Sequence, residues 1–207
     1  KKNIQCVLFT SGTISIPKAV QLTFGSVYAS ANAWDAEMKF KKEDVYLNLL
    51  PLFHVSGLSI FFRSLFFGFK MVLEEYNSNR IDKHVSDYRC TYVSMVPKMI
   101  YDLRKFNLTV LKNVKALIVG GDAISESLHS YIYNNKIPVY CSYGLTETSS
   151  GVSGYWINSN KIFSNHIGNP HQNVNISIKN KRIYIKSDVV MHSYFKGSLC
   201  NGKFLTG

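Results

Sequence analysis

Short runs of apolar and β-branched residues alternate along this chain with longer stretches whose apolar residues recur at helical spacing. The predicted strands cover residues 4–9, 45–50, 71–73, 91–96, 116–119 and 139–143. The predicted helices cover residues 24–40, 58–69, 81–88, 98–106 and 125–134. This alternation predicts an α/β fold, in which helices cover a mostly parallel sheet and ligands bind at the carboxyl ends of the strands.

The pattern changes near residue 174. Residues 175–179 and 182–186 alternate polar and apolar side chains on either side of Asn180-Lys181, which is typical of a β-hairpin. We therefore expect a small antiparallel β subdomain at the C-terminal end. The predicted division is an α/β core over residues 1–167 and the start of a β-rich part over residues 168–207.

The net charge, the longest apolar stretch and the cysteines limit the kinds of partner and the cellular compartment that we expect for this chain. The net charge of +11 suits an anionic partner such as a nucleotide, CoA, nucleic acid or an acidic lipid surface. The chain shows no recognition helix, zinc site or RNA-binding signature, so we expect no nucleic-acid partner. The apolar stretch 55–69 is too short for a membrane span and is interrupted by Arg63. Four widely separated cysteines predict reduced thiols and a cytoplasmic location.

A hydroxyl-rich loop directly follows the first predicted strand. Its hydroxyls, backbone N–H groups and terminal lysine are suitable donors for phosphate oxygens, although the Walker pattern is absent. Taken alone, a plain Ser/Thr-rich turn explains the segment equally well. The candidate phosphate-binding residues are Thr10, Ser11, Gly12, Thr13 and, after Pro17, Lys18.

Two further loops follow predicted strands. In the segment 142–148, Tyr143 can stack on a base, Thr146 can donate to a phosphate and Glu147 can hold Mg²⁺ through a hard oxygen. The alternative is a packed tyrosine, a turn glycine and an ordinary helix start. The other candidate residues in these loops are Gly120, Gly121, Asp122, Ser142 and Gly144.

The order of these segments resembles the core motifs of the AMP-forming acyl- and aryl-CoA ligase superfamily, and the resemblance covers nearly the whole chain. The motifs are Thr10-Ser11-Gly12-Thr13 with Pro17-Lys18, Leu50-Pro51-Leu52-Phe53-His54, Gly120-Gly121, Tyr143-Gly144-Leu145-Thr146-Glu147, Ile167-Gly168-Asn169-Pro170 and Gly202-Lys203-Phe204-Leu205-Thr206-Gly207.

The resemblance implies an enzyme that joins a carboxylate to ATP, expels pyrophosphate and passes the acyl group to CoA. Thr10, Ser11, Gly12, Thr13 and Lys18 would then hold the β and γ phosphates. Tyr143 would stack on adenine, within a site that includes Ser142 and Gly144. Thr146 would contact the α phosphate and Glu147 would coordinate Mg²⁺. Gly120, Gly121 and Asp122 would border the adenine, with Gly121 also near the acyl substrate.

The segment 53–63 most resembles the o-succinylbenzoate:CoA ligases of menaquinone synthesis. By this resemblance His54 would lie beside the acyl carboxylate, and Ser56 and Arg63 would contact the substrate. An arginine in an otherwise apolar run needs an anionic partner, which a dicarboxylate aryl substrate would supply. The alternatives are that Arg63 pairs with a structural carboxylate or lies at the surface, and that the acid is a fatty acid or another aryl acid.

The resemblance also implies that this chain is a fragment of the large domain of an adenylate-forming enzyme. It ends at Thr206-Gly207, where the family pattern continues into an aspartate that holds the ribose. The family's amino-terminal region and its mobile carboxy-terminal domain with the catalytic lysine lie outside it. We therefore expect the isolated chain to bind nucleotide poorly and not to turn over.

The phosphate loop departs from the family pattern at Ile14, Ser15 and Ile16, where a second threonine and a second glycine are usual. Branched isoleucine restricts the backbone where glycine would not. This departure predicts weak ATP binding, or a degenerate homologue without activity. Replacing Ile14→Thr together with Ser15→Gly is expected to raise ATP affinity in a direct binding titration. An unchanged affinity would count against this interpretation of the loop.

Overall fold

The alternating elements form a seven-stranded sheet in a computed structural model, which describes residues 3–10, 17–105, 108–159 and 162–206. The strands are β1 (Ile4–Phe9), β2 (Ala19–Thr23), β3 (Val45–Asn48), β4 (Lys70–Leu73), β5 (Tyr92–Met95), β6 (Ala116–Val119), β7 (Val139–Leu145), β8 (Ser150–Trp156), β9 (Asn169–Pro170), β10 (Asn175–Lys179), β11 (Arg182–Lys186), β12 (Ser193–Tyr194) and β13 (Lys203–Leu205). The α-helices are α1 (Phe24–Met38), α2 (Val55–Phe67), α3 (Ile81–Asp87), α4 (Pro97–Leu103) and α5 (Glu126–Asn134).

The central sheet has the order β4-β3-β5-β6-β7-β8-β9. From β4 to β7 all neighbours are parallel, whereas β8 and β9 each pair antiparallel. Every residue of β5 and β6 is buried, as expected of parallel strands with helices on both faces. The predicted α/β class is thus confirmed, and the carboxyl ends of β5, β6 and β7 meet at one edge of the sheet.

Successive side chains of the sheet enter two different cores, because strand residues alternate between faces. Leu47 and Val93 pack with the buried residues of α3, α4 and α5. Tyr46 and Tyr92 pack on the other side, with Trp34 of α1 and with α2. The sheet is therefore the middle of three layers. Among the helices that the structure describes, none has the length and apolar character needed to cross a membrane.

The first strand lies in a different sheet from the one that the alternation suggests. β1 pairs antiparallel with β2, and β12 joins the other edge of β2. Only Leu8 of β1 is fully buried, so this strand lacks the uniform burial of a central parallel strand. Strand β2 was not predicted, because its short polar-apolar run follows directly on the phosphate-loop pattern.

Strand β8 was also missed, and its composition explains why. Its sequence, SGVSGYW, contains two glycines and two serines, which are typical of a loop. The strand forms because it pairs along β7, whose end lies at Leu145, two residues beyond the predicted end. Helix α2 begins at Val55. The predicted start at residue 58 was too late, because Ser56 and Gly57 are weak helix formers and do not indicate a helix on their own.

The predicted hairpin is confirmed. β10 pairs antiparallel with β11, and Asn180 and Lys181 both have positive φ, at 50° and 59°, as a two-residue turn of this kind requires. β13 extends the sheet on the far side of β11. The division at residue 168 stays a prediction, since β9 pairs with the central sheet and β12 with β2.

Gly168 provides a test of the packing between β8 and the segment before β9. Its φ is +78°, and a Cβ added there would lie 2.1 Å from the Gly154 carbonyl oxygen. Gly168→Ala should therefore lower the free energy of unfolding by more than about 2 kcal/mol in urea titrations. Gly68→Ala is the matched control, because its φ is +75° but its nearest new contact is a Lys42 side-chain carbon at 3.6 Å. Equal losses for the two variants would contradict the close contact with Gly154.

Candidate nucleotide site

A cleft of about 370 Å³ opens at the carboxyl ends of β6 and β7. Five predicted site residues line it: Gly121 and Asp122 follow β6, while Ser142, Tyr143 and Gly144 belong to β7. Parallel neighbours place these two loops side by side, as the fold class predicts. The aromatic ring, the polar groups and the exposed backbone suit a flat heterocycle.

Another part of the cleft wall was not predicted. It is formed by residues 163–167, which precede β9. The ring of His166 lies 4.1 Å from that of Tyr155, and its Nδ1 accepts a hydrogen bond from the Gly168 backbone at 3.0 Å. Ile167 and Gly168 were named only as part of a motif, and not as residues of the site. Phe163 and His166, just before that motif, were the residues in the sequence that could have indicated this part of the wall.

Gly144 lets β7 approach the start of β8 closely. A Cβ at this position would lie 2.2 Å from the Ser150 carbonyl oxygen. The following turn, Thr146–Thr148, is closed by the Thr148 hydroxyl, which accepts a hydrogen bond from the Leu145 backbone at 2.9 Å. The turn places Thr146 and Glu147 directly beyond the end of the strand that lines the cleft. Thr146 and Glu147 therefore follow directly on the residues of β7 that line the cleft.

Lys18 and Glu147 meet at Tyr194, a residue that the sequence analysis did not select. The Tyr194 hydroxyl donates to Glu147 Oε1 at 2.7 Å. The Lys18 ammonium lies 5.2 Å from the centre of the same ring, in cation–π contact. Burial, followed by the effect of Glu147, raises the pKa of Tyr194, so the phenol remains a donor at neutral pH. The acidic Glu147 and the basic Lys18 thus both contact the side chain of Tyr194.

Thr10 and Lys18 lie at the two ends of the predicted phosphate loop. The Lys18 backbone N–H donates to Thr10 Oγ1 at 3.3 Å, and the Thr10 backbone N–H donates to the Lys18 carbonyl at 3.0 Å. The antiparallel pairing of β1 with β2 brings these ends together. Ser11, Gly12 and Thr13, with the altered residues 14–16, lie outside the described residues.

The arrangement around Glu147 fits a magnesium ion. The carboxylate is partly buried and supplies hard oxygens, which Mg²⁺ prefers. One of its oxygens accepts from Tyr194, and in the described part of the chain no hydrogen bond or ion pair engages the other. The nearby Lys18 adds a positive charge suited to phosphate. Glu147 would therefore be a suitable ligand for magnesium, which would supply positive charge at this position.

Of the four predicted acyl-side residues, Gly121 lines the cleft and the other three do not. His54 caps the start of α2 without a side-chain capping bond and contacts the Phe53 ring, at 5.1 Å between centres. Ser56 is exposed in the first turn of α2. Gly120 directly follows β6, and a Cβ added there would lie 3.2 Å from the Ser142 carbonyl oxygen. Neither His54, Ser56 nor Arg63 is among the residues that line the 370 Å³ cleft.

Arg63 is 2% exposed, which excludes the surface alternative. Its Nη2 donates to Ser150 Oγ at 3.0 Å, and its guanidinium carbon lies 4.3 Å from the centre of the Trp34 ring. Within the described ranges its Nε has no hydrogen-bond partner and no carboxylate pairs with it. Burial lowers the pKa of Arg63 to about 10, against a smaller opposing effect of Tyr46. The cation is thus held by hydroxyls and aromatic rings.

His171 lies beside this buried cation. Its Nε2 is 2.9 Å from the Tyr140 hydroxyl, and its ring is 5.0 Å from that of Trp34. Burial, with the positive charge of Arg63 as the second cause, lowers the pKa of His171 to about 4. The imidazole is therefore neutral at physiological pH, which allows it to share the interior with Arg63.

Comparison with known proteins identifies the family. The family model described as "AMP-binding enzyme" matches residues 1–195, which is nearly the whole of the 207-residue chain. The chain belongs to the AMP-binding enzyme family. A curated family member, 2-succinylbenzoate–CoA ligase of Staphylococcus aureus strain MSSA476, is 31% identical over 99% of this chain.

Solved structures support the same assignment. O-succinylbenzoate coenzyme A synthetase from Bacillus subtilis in complex with AMP matches 99% of this chain with a TM-score of 0.93 and 28% identity. The same synthetase in complex with ATP and magnesium ion matches 97% with a TM-score of 0.90 and 29% identity. The chain spans 44% of the Staphylococcus aureus ligase and 46% of each of these two synthetase chains. The match is therefore to less than half of these AMP-binding enzymes.

The lowered pKa of His171 predicts a pH effect on the stability of this AMP-binding domain. The unfolded histidine binds a proton near pH 6.5 and the folded one only near pH 4. Between these values the unfolded state holds more protons, so stability falls as the pH drops, by about 3 kcal/mol in total for this residue. His171→Gln removes that contribution. In urea titrations, the free energy of unfolding should fall between pH 7 and pH 4.5 by about 2 kcal/mol less in the variant than in the wild type. Equal losses in the two proteins would contradict the lowered pKa of His171.

Proposed function

We propose that the protein is an ATP-dependent acid–CoA ligase that forms an acyl adenylate and then an acyl-CoA. The observation that carries this proposal is the meeting of Lys18 and Glu147 on Tyr194, with Glu147 in the turn that follows β7, the strand whose Tyr143 lines the cleft. A cation for phosphate, a carboxylate for metal and an aromatic wall for a base are the groups that a bound Mg-ATP requires. Membership of the AMP-binding enzyme family supports the same chemistry.

In the first step a substrate carboxylate oxygen attacks the α phosphorus of ATP, and the bond to pyrophosphate breaks. Thr10 and Lys18, with the loop between them, hold the leaving β and γ phosphates. Thr146 contacts the α phosphate, and Tyr143 stacks on adenine, with Gly121 and Asp122 at its edge. Glu147 would hold magnesium, which would supply positive charge to the phosphates. Lys18 favours the leaving group because negative charge increases on pyrophosphate as the bond breaks.

In the second step the CoA thiol attacks the acyl carbon and AMP departs with the electrons of the broken bond. The acid we propose is 2-succinylbenzoate, in menaquinone biosynthesis, because the ligase relative at 31% identity carries that name. His54 and Ser56, at the start of α2, are the proposed carboxylate-side contacts. Arg63 remains a proposed substrate contact, although its present neighbours are Ser150 and Trp34.

A degenerate homologue is the second candidate, and the sequence Ile14-Ser15-Ile16 favours it. It would retain the nucleotide cleft and lack ligation. A fatty acid or another aryl acid is the alternative substrate class. The cytoplasmic location, the CoA co-substrate and the lack of turnover by this 207-residue span alone also stay predictions.

The test is ATP–pyrophosphate exchange by the full-length protein with 2-succinylbenzoate, benzoate and a fatty acid. We expect exchange to be fastest with 2-succinylbenzoate. Lys18→Ala and Glu147→Gln should each lower it about 100-fold or more, because each removes a charge that stabilises the transition state. Tyr184→Phe, a change in the β10–β11 hairpin, is the matched control and should leave the rate unchanged.

Each result decides one part of the proposal. Exchange with a fatty acid but not with 2-succinylbenzoate would reject the substrate and keep the reaction. Absence of exchange with every acid, in a protein that still binds ATP, would favour the degenerate homologue. Full activity of the Lys18→Ala and Glu147→Gln variants would reject the site.

A further inference from the structure

Tyr194 is the side chain that contacts both the proposed metal ligand and the proposed phosphate lysine. Its hydroxyl donates to Glu147 Oε1 at 2.7 Å, and its ring lies under the Lys18 ammonium at 5.2 Å. The residue is partly buried, at the end of the two-residue strand β12. A carboxylate can only accept, so the phenol must be the donor in this contact.

The backbone around Tyr194 is fixed independently of its side chain. Tyr194 pairs with Val20 of β2, two residues after Lys18. The Phe195 backbone N–H donates to the Ala19 carbonyl at 2.8 Å, on the same strand. On the other side, the Met191 backbone N–H donates to the Glu147 carbonyl at 2.7 Å. Strand β12 therefore connects the end of the phosphate loop to the turn that carries Glu147.

Carboxylates that bind metals are commonly oriented by a second hydrogen bond, and loss of that bond typically weakens metal binding by about 10- to 100-fold. The Tyr194 hydroxyl donates such a hydrogen bond to the Glu147 carboxylate. The ring contact is a separate interaction, because a cation over an aromatic face is attracted by the ring and not by the hydroxyl. The two contacts can therefore be removed one at a time.

We propose that Tyr194 is a positioning residue, whose hydroxyl orients the Glu147 carboxylate toward magnesium and whose ring holds the Lys18 ammonium beside it. This inference rests on the proposed function, in which Glu147 binds the metal and Lys18 the phosphates. It adds a residue from β12, far along the chain from both, to the machinery of the site. Tyr194 acts through these two side chains and does not itself contact the reacting atoms.

Tyr194→Phe removes the hydroxyl and keeps the ring. In the full-length protein, calorimetric titration with ATP in the presence of Mg²⁺ should show about 10-fold weaker binding. Titration with metal-free ATP should be unchanged, because the Lys18 contact remains. Tyr194→Leu also removes the ring and should weaken the binding of metal-free ATP as well. Tyr184→Phe is the control and should match the wild type in both titrations.

The dependence on Mg²⁺ separates positioning from a general structural effect, which would weaken both titrations alike in the Tyr194→Phe variant. Equal weakening with and without metal, or no weakening at all, would overturn the role of the hydroxyl. Unchanged metal-free binding in Tyr194→Leu would overturn the role of the ring.

Glu147→Gln separates this inference from the function on which it rests. If that variant loses the Mg²⁺-dependent gain while Tyr194→Phe keeps it, only the role of Tyr194 fails. If Glu147→Gln keeps the gain, the metal role of Glu147 fails and the proposed function fails with it.

Discussion

The short pairing between β12 and β2 is the constraint on which the site depends. Ser193 and Gln21 are 172 residues apart in the chain, yet their side chains are joined by a hydrogen bond of 2.8 Å and their backbones by strand pairing. This contact brings Tyr194 between Lys18 and Glu147. Without it, the small antiparallel sheet that carries Lys18 would lose a strand that ties it to the turn of Glu147.

The central sheet supplies the other half of the site. Its parallel strands open a cleft where β6 and β7 end, and the antiparallel β8 returns so close to Gly144 that a side chain there would collide with Ser150. Behind this turn lies Arg63, a buried cation whose neighbours are the Ser150 hydroxyl and the Trp34 ring. A charge buried in this way costs free energy, and the neutral His171 beside it limits that cost.

Local patterns were sufficient to predict the parallel strands, the hairpin around Asn180 and the loops that carry Gly121 and Tyr143. Each of these depends on the periodicity or turn chemistry of a single segment. Strand β8 was missed because its Gly- and Ser-rich sequence resembles a loop. The separate sheet of β1 was missed because the sequence of a strand does not determine which strand it pairs with. Tyr194 was missed for the same reason: its importance comes from two contacts with distant residues, and its own segment carries no signal of them.

The central claim is that Lys18 and Glu147 serve one bound nucleotide and its metal. A crystal structure of the full-length protein with Mg²⁺ and a non-hydrolysable ATP analogue tests it directly. We expect the Lys18 ammonium at about 3 Å from a β or γ phosphate oxygen, with the metal bound to Glu147 and the adenine in the cleft beside Tyr143. A nucleotide bound elsewhere, or one whose phosphates point away from Tyr194, would contradict it.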